Sequence, residues 1–337
     1  MNLLAEQLAP DFCKFHVGYQ RISRISLVQW LVLLLSIYIL TGFIGQVVLN
    51  GDRFPLANVT SMSEAEIALV LVADESKSLA TRKGTDQGPR AMRCAFENSE
   101  VFKREGKTIL ICPMRNNYLN RRILDTGFTS RNDLHSLICE LVTNKIVPVI
   151  IGGDHSITTV AIDAISATLG KIGLVYFDAH PDFVSSKRDY YGSVITDSLG
   201  RLDGSNVTFI GTRAAELEEV ENIQRSGFQV VSPLDIVENG INRTIDKICT
   251  RNTSRKYVSI DLDCLDPAYA PGVSVPTPCG LTSVELTCLV KHAVSSGIVG
   301  MDIVELCPKY DMNDITASLA ARLLSESVAS IRSAYLS

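Results

Sequence analysis

Three short stretches of the chain put carboxylates and imidazoles at spacings that could hold metal ions. They are Gly152-Gly153-Asp154-His155-Ser156, Asp178-Ala179-His180-Pro181-Asp182 and Asp261-Leu262-Asp263-Cys264-Leu265-Asp266-Pro267. Side chains at alternate positions just past a strand end can turn toward one point, and oxygen and nitrogen donors without thiolates suit Mn²⁺ and similar divalent ions. His155, Asp178, His180, Asp182, Asp261 and Asp263 make six candidate ligands, four of them carboxylates. Four negative charges converging on one pocket repel one another, and two divalent cations offset them. The pattern therefore favours a two-metal hydrolytic site.

Two of the clusters have plainer readings when taken alone. Gly152-Gly153-Asp154-His155 fits a tight strand-to-helix turn with Asp or Ser capping the helix. Asp261 and Asp263 fit a solvated loop that turns at Asp266-Pro267. The middle cluster resists such a reading, because three ionisable residues on alternate positions after a buried strand are costly unless paired or metal-bound. Three clusters at three strand ends of one sheet favour metal binding over three coincidences.

The elements that must position these residues are legible from residue 66 onward, where short apolar, β-branched runs alternate with amphipathic stretches. The runs are 67–72, 108–112, 147–151, 172–177, 207–210, 229–231, 257–260 and 299–304. Stretches 133–142, 156–169, 216–225, 283–294 and 315–331 space their apolar residues at helical intervals. Several runs are apolar throughout, as strands buried on both faces should be. The alternation predicts an α/β protein with a parallel sheet covered by helices. Ligands of such sheets bind beyond the carboxyl ends of the strands, where all three clusters fall.

Composition excludes some functions. A net charge of -5 and five histidines offer no basic stripe for nucleic acid. Nine dispersed cysteines without a Cys-x-x-Cys pair suit buried thiols in a reducing compartment. One region departs from the soluble pattern: residues 25–51 carry no charge, and 27–49 are almost wholly apolar. A helix of that length is able to cross a hydrocarbon core of roughly 30 Å. A membrane anchor, a simple N-terminal extension and an apolar helix packed on an oligomer all stay open. The expected division is an extension at 1–53 and a catalytic domain at 54–337.

In order and spacing the three clusters resemble the signature of the ureohydrolase superfamily of arginases, agmatinases and formiminoglutamases, with the agmatinase-like members most similar. Residues 81–93, containing Gly88-Pro89-Arg90-Ala91-Met92-Arg93, are similar to the family's early Gly-Pro loop. Residues 267–282 match its Pro-Gly-rich loop, and Asp302-Ile303-Val304-Glu305-Leu306-Cys307-Pro308 its late Asp-x-x-Glu-x-x-Pro. The resemblance implies a three-layer α/β/α fold around an eight-stranded, mainly parallel sheet. It implies two Mn²⁺ per chain, one on His155, Asp178, Asp182 and Asp261, the other on His180, Asp178, Asp261 and Asp263. It further implies that Asp182 carries a proton to the leaving amine and that Glu305 accepts hydrogen bonds from a guanidinium group. A small guanidino substrate, release of urea, a trimeric or hexameric assembly and a cytoplasmic catalytic domain complete the expectation.

The match fails at one point. Members commonly place a histidine near the substrate as proton shuttle after the Asp-x-His-x-Asp motif, whereas this chain reads Tyr190-Tyr191-Gly192-Ser193-Val194-Ile195-Thr196-Asp197-Ser198. Val194 or Ile195 is expected at the shuttle position. His16, His135 and His292 fall in the extension and on helices. Val184 stands where arginase-like members have an Asn for the amino-acid carboxylate, and with Phe183 it offers apolar surface for a methylene chain. Agmatine is thus expected over arginine, with guanidinobutyrate open through Ser185, Ser186, Lys187 and Arg188. A formimino hydrolase and a low-activity metal-binding relative are the remaining alternatives.

Overall fold

In the computed structural model, which describes residues 53–98, 121–250 and 255–336, the fully apolar runs become the centre of a sheet. Strands β1 (Ile67–Leu71), β3 (Val147–Ile151), β4 (Ile172–Phe177), β7 (Lys256–Asp261) and β8 (Ile298–Val304) are buried at every position. β2 (Ile123–Phe128), β5 (Leu202–Ile210) and β6 (Gln229–Val231) complete eight strands in the order β2-β1-β3-β8-β7-β4-β5-β6. Every neighbouring pair is parallel.

Side-chain alternation divides the core into two layers. Leu69, Val149, Val258 and Met301 point to one face. They pack there with Met92 and Phe96 of α1 (Gly88–Asn98), Leu286 and Leu289 of α8 (Ser283–Ser295), and Leu323 and Leu324 of α9 (Ile315–Ser330). Val70, Ile150, Leu174 and Tyr257 point to the other, against Leu134 and Ile138 of α2 (Arg131–Thr143) and Ala161 and Ile165 of α3 (Ile157–Leu169). Four more helices surround the far half of the sheet: α4 (Val194–Ser198), α5 (Leu217–Ser226), α6 (Pro233–Asn239) and α7 (Ile241–Thr250). This is the three-layer α/β/α architecture expected.

One strand differs from expectation. Run 108–112 lies outside the described residues, and β2 is instead Ile-Leu-Asp-Thr-Gly-Phe, too polar to stand out as a buried run. It is an edge strand, and its Asp125 does structural work: Oδ2 accepts the Phe54 N–H at 2.6 Å and Oδ1 accepts the Gly127 N–H at 2.8 Å. β5 also begins earlier than its apolar run, because a register shift against β4 accommodates the polar residues after Leu202. The apolar segment 27–49 lies outside the described residues. Among those described, no helix is long and apolar enough to cross a membrane.

Candidate metal centre

The four central strands, β3, β8, β7 and β4, bring the candidate ligands and Glu305 to one edge of the sheet. Their directions are parallel, so their carboxyl ends coincide. After β3 the chain turns at Gly152-Gly153, and a Cβ on Gly153 would lie 1.9 Å from the Asp74 carbonyl oxygen. Only glycine fits that approach. Asp154 is absorbed by the same turn: Oδ1 accepts the Ser156 N–H at 3.0 Å, and Oδ2 accepts the Lys77 N–H at 3.0 Å. That leaves His155 to face the cluster.

His155 is 1% exposed, and its Nδ1 lies 3.0 Å from Asp178 Oδ2, 3.1 Å from Asp261 Oδ2 and 3.3 Å from Asp182 Oδ2. Its other nitrogen, Nε2, lies 2.8 Å from Ser259 Oγ, which donates to Asp302 Oδ1 at 2.7 Å. Since the serine's hydrogen is committed to Asp302, Nε2–H donates to Ser259, and Nδ1 is left to face the carboxylates. Asp302 is itself fixed by Tyr257 and Thr158, each donating to Oδ2 at 2.7 Å. The imidazole also stacks on the Tyr176 ring at 4.8 Å and 7°, and the Tyr176 hydroxyl donates to Asp182 Oδ2 at 2.6 Å.

The second imidazole is more open. His180 Nδ1 lies 3.1 Å from Asp263 Oδ2 and 3.5 Å from Asp178 Oδ1, and its side chain is 26% exposed. Asp178 Oδ1 accepts the His180 N–H at 2.6 Å, and Asp261 Oδ1 accepts the Asp263 N–H at 2.8 Å. Asp178 therefore belongs to two ligand groups, His155–Asp178–Asp182 and Asp178–His180–Asp263, each with donor atoms within 4.8 Å of one another. Asp261 joins the first group through its contact with His155. Arg213 holds the surrounding loops by donating to the carbonyls of Asp263, Cys264, Leu265 and Pro278 at 2.9 to 3.2 Å.

Charge shows what this cluster would gain from cations. Burial, then the Asp178 charge, pushes the Asp182 carboxyl well above the carboxylate range; burial with Asp263 and Asp178 does the same to Asp261, and burial with Asp178 raises Asp263. Burial opposes the charged imidazole of His180, yet Asp263 and Asp178 push it up to about 12. His155 is likewise raised against burial by Asp178 and Asp261. Asp178 resists burial through both imidazoles and stays low. Protons thus substitute for missing positive charge. Asp178 Oδ2 is fully buried and accepts no well-formed hydrogen bond. A buried carboxylate oxygen without a well-formed hydrogen bond, among oxygen and nitrogen ligand atoms, fits a pair of divalent ions. Cys264 is no competitor, because burial and Asp261 keep its thiol protonated.

Glu305 follows β8 and completes the site. Its Oε1 accepts the His155 N–H at 2.8 Å and its Oε2 accepts the Ser274 hydroxyl. Burial, with Asp154 adding, pushes its carboxyl up to about 7. Glu305 and Asp182 both hold left-handed backbone, with φ of 66° and 49°. Such conformations cost roughly 1–2 kcal/mol per residue and persist only where neighbours impose them.

These groups line a cavity of about 430 Å³ together with Val184, Tyr190, Tyr191, Val275, Glu216 and Glu219. Among the described residues, no Lys or Arg lines it. Every residue singled out from the sequence, His155, Asp178, His180, Asp182, Val184, Asp261, Asp263 and Glu305, is brought to this region. The shuttle expectation is corrected: Val194 and Ile195 are fully buried in the core, and Tyr191 faces the cavity in their stead. His135 and His292 lie on α2 and α8, remote from the cluster in the fold. Sequence reasoning missed Tyr176 and Ser259. Each stands two residues before a ligand Asp on its strand, so period-two alternation was the available signal.

A profile of the Arginase family matches residues 65–329. The agmatinase of Neisseria meningitidis serogroup A is 29% identical over 282 residues, covering 81% of this chain and 90% of that protein. The mitochondrial guanidino acid hydrolase of Homo sapiens is 32% identical over 195 residues, covering 56% of this chain and 55% of that protein. Among solved structures, the agmatine ureohydrolase of Thermoplasma volcanium superposes with a TM-score of 0.71 at 29% identity, covering 87% of this chain and 96% of that one. The arginase of Bacillus caldovelox, at 23% identity and a TM-score of 0.66, shares the fold.

Proposed function

The chain belongs to the arginase family, hydrolases of carbon–nitrogen bonds other than peptide bonds, and from that premise we propose that it releases urea from a guanidino compound with a cationic or neutral tail, agmatine before others. The observation that carries the reading is the cavity's charge: with the four ligand carboxylates offset by two divalent ions, Glu216, Glu219 and Glu305 remain in the lining, and among the described residues no Lys or Arg lines it. A guanidinium group enters such a field favourably, whereas a carboxylate tail meets repulsion.

Residues 155, 178, 182 and 261 would hold one divalent ion, and residues 178, 180, 261 and 263 the other, with Mn²⁺ suited to this donor set. When bound, such a pair supplies Lewis acidity and lowers the pKa of water. The chain's own groups do the rest. Glu305, fixed by the His155 N–H and Ser274, presents a carboxylate to the planar guanidinium donors. Asp182, with Tyr176 donating to Oδ2, is placed to take a proton released by water and pass it to the departing amine. Val184 gives apolar wall to the methylene chain, and Glu216 and Glu219 offer negative charge to an ammonium tail.

The groups expected to serve a guanidino acid have other contacts. The Ser185 and Ser186 amides donate to Glu218 Oε1 at 2.9 and 3.0 Å, Lys187 lies over the Tyr190 ring at 5.1 Å, and Arg188 pairs with Asp197. A buried, unpaired carboxylate would cost several kcal/mol. The test is kcat/KM for agmatine, guanidinobutyrate and arginine under one Mn²⁺ loading. Agmatine is expected to lead by at least about tenfold, a difference of about 1.4 kcal/mol; preference for either carboxylate-bearing compound overturns the assignment.

A further inference from the structure

Tyr191 lines the cavity, and its hydroxyl makes no hydrogen bond among the described residues. Its backbone is held firmly. Its N–H donates to the Lys77 carbonyl at 3.4 Å, and it opens a short 3-10 turn, Tyr191–Ser193. Ser193 Oγ fastens that turn through the Tyr190 carbonyl at 3.0 Å and Asp197 Oδ2 at 2.6 Å. Tyr190 meets the Tyr191 ring edge-on at 5.7 Å and 83°. A Cβ on Gly192 would come within 2.9 Å of the Tyr190 ring, so the glycine allows this packing. A half-buried phenol on a braced turn is preorganised for a ligand.

The cavity locates it. Tyr191 lines the same cavity as Glu305, Asp182, His180 and Asp263, the groups proposed to surround the reacting guanidinium. Burial and these carboxylates keep the phenol neutral, so it retains one donor hydrogen and two acceptor lone pairs.

We propose that Tyr191 is a catalytic residue that hydrogen-bonds the departing nitrogen of the guanidino substrate, a role that rests on the guanidino-hydrolase reading above. In the planar guanidinium that nitrogen has no free lone pair and can only donate, and the tyrosine oxygen accepts its N–H. When water adds to the central carbon, the nitrogen becomes pyramidal and regains a lone pair. Rotation of the O–H then lets Tyr191 donate to it, an interaction absent from the ground state and thus effective on kcat. The tyrosine neither gains nor loses a proton over the cycle; the proton that completes the amine comes from the attacking water.

The experiment uses the full chain loaded with Mn²⁺ and compares it with Y191F and Y191H, with agmatine as substrate. Y191F is expected to lower kcat about 10- to 100-fold, to change KM less than about threefold, and to leave metal content and Tm unaltered. A near-UV tyrosine difference spectrum is expected when agmatine is added to the native chain, and it should shrink in Y191F. Y191H, which restores a polar hydrogen, should recover part of the loss in kcat. A kcat for Y191F within twofold of the native value, a change in KM alone, or loss of metal overturns the catalytic role. A native chain that releases no urea from any guanidino compound overturns the functional reading beneath it, and the two failures are told apart by that control.

Discussion

The two imidazoles of the site are anchored very differently. His155 is sealed in the core, stacked on Tyr176 and tied through Ser259 to an Asp302 that three other groups hold. His180 is a quarter exposed, with Asp263, Asp178 and a distant Thr277 contact at 3.4 Å as its restraints. Outer partners fix ring orientation and raise ligand basicity, so the His155 side is the preformed half of the site and the His180 side the adaptable one. Asp178 serves both, which couples them.

Three predictions press on that difference. The largest effect belongs to the shared residue: Asp178→Ala should remove both ions and lower kcat by more than about 10³-fold, because one carboxylate serves two ligand groups. Urea release and metal content read together check it, and retention of one tightly held ion would show that the halves are independent.

A smaller effect should separate the halves. Tyr176→Phe keeps the ring stacked on His155 and deletes the hydroxyl donated to Asp182, so the first ion should bind about 10- to 100-fold more weakly while the second changes little. Thr277→Val should leave both nearly unchanged, since its contact with His180 is long. Calorimetric titration of the metal-free protein with Mn²⁺ distinguishes these outcomes; equal losses in both variants would erase the distinction between a fixed and an adaptable half.

The smallest is a pH effect on stability. In the metal-free chain the folded-state pKa values of Asp182, Asp261, Asp263, His155 and His180 are raised, so the folded state binds protons more strongly than the unfolded one. Their stabilisation is present at low pH and is lost as pH rises through the folded values. For His180 the loss begins near 6.5 and continues toward about 12. Asp178, lowered, acts in the opposite sense. The metal-free Tm should therefore fall from pH 6 to pH 8, and the gain in Tm on adding Mn²⁺ should be larger at pH 8 by a few degrees, about 1 kcal/mol. Scanning calorimetry at both pH values checks the sign, and a larger gain at pH 6 would refute it.

How far the sequence could be read depended on whether a residue's surroundings were local. The apolar runs at 147–151 and 172–177 announced themselves because strands buried on both faces allow no polar residue. The ligand clusters were legible because their members lie within five residues of one another, immediately past those strands. β2 was not, because an edge strand tolerates Asp, Thr and Gly, and its Asp125 has a role that only the fold reveals through Phe54. The Ser259–Asp302 support of His155 joins residues 43 apart on neighbouring strands, and no local pattern signals it. Tyr191 was missed for a related reason. Its turn depends on Ser193, Asp197 and the distant Lys77, so Val194 and Ile195 fell in the expected interval yet face the core. The acidic lining from Glu216 and Glu219 comes from the loop and helix after β5, beyond any motif that was recognised.

The most direct test of the two-ion site built around Asp178 is the metal content of the native full chain after Mn²⁺ loading and removal of excess ion, measured by mass spectrometry against protein concentration. Two ions per chain are predicted, with one leaving first on exposure to a weak chelator and the slower one leaving faster in Tyr176→Phe. A single ion per chain, or none, would contradict the account.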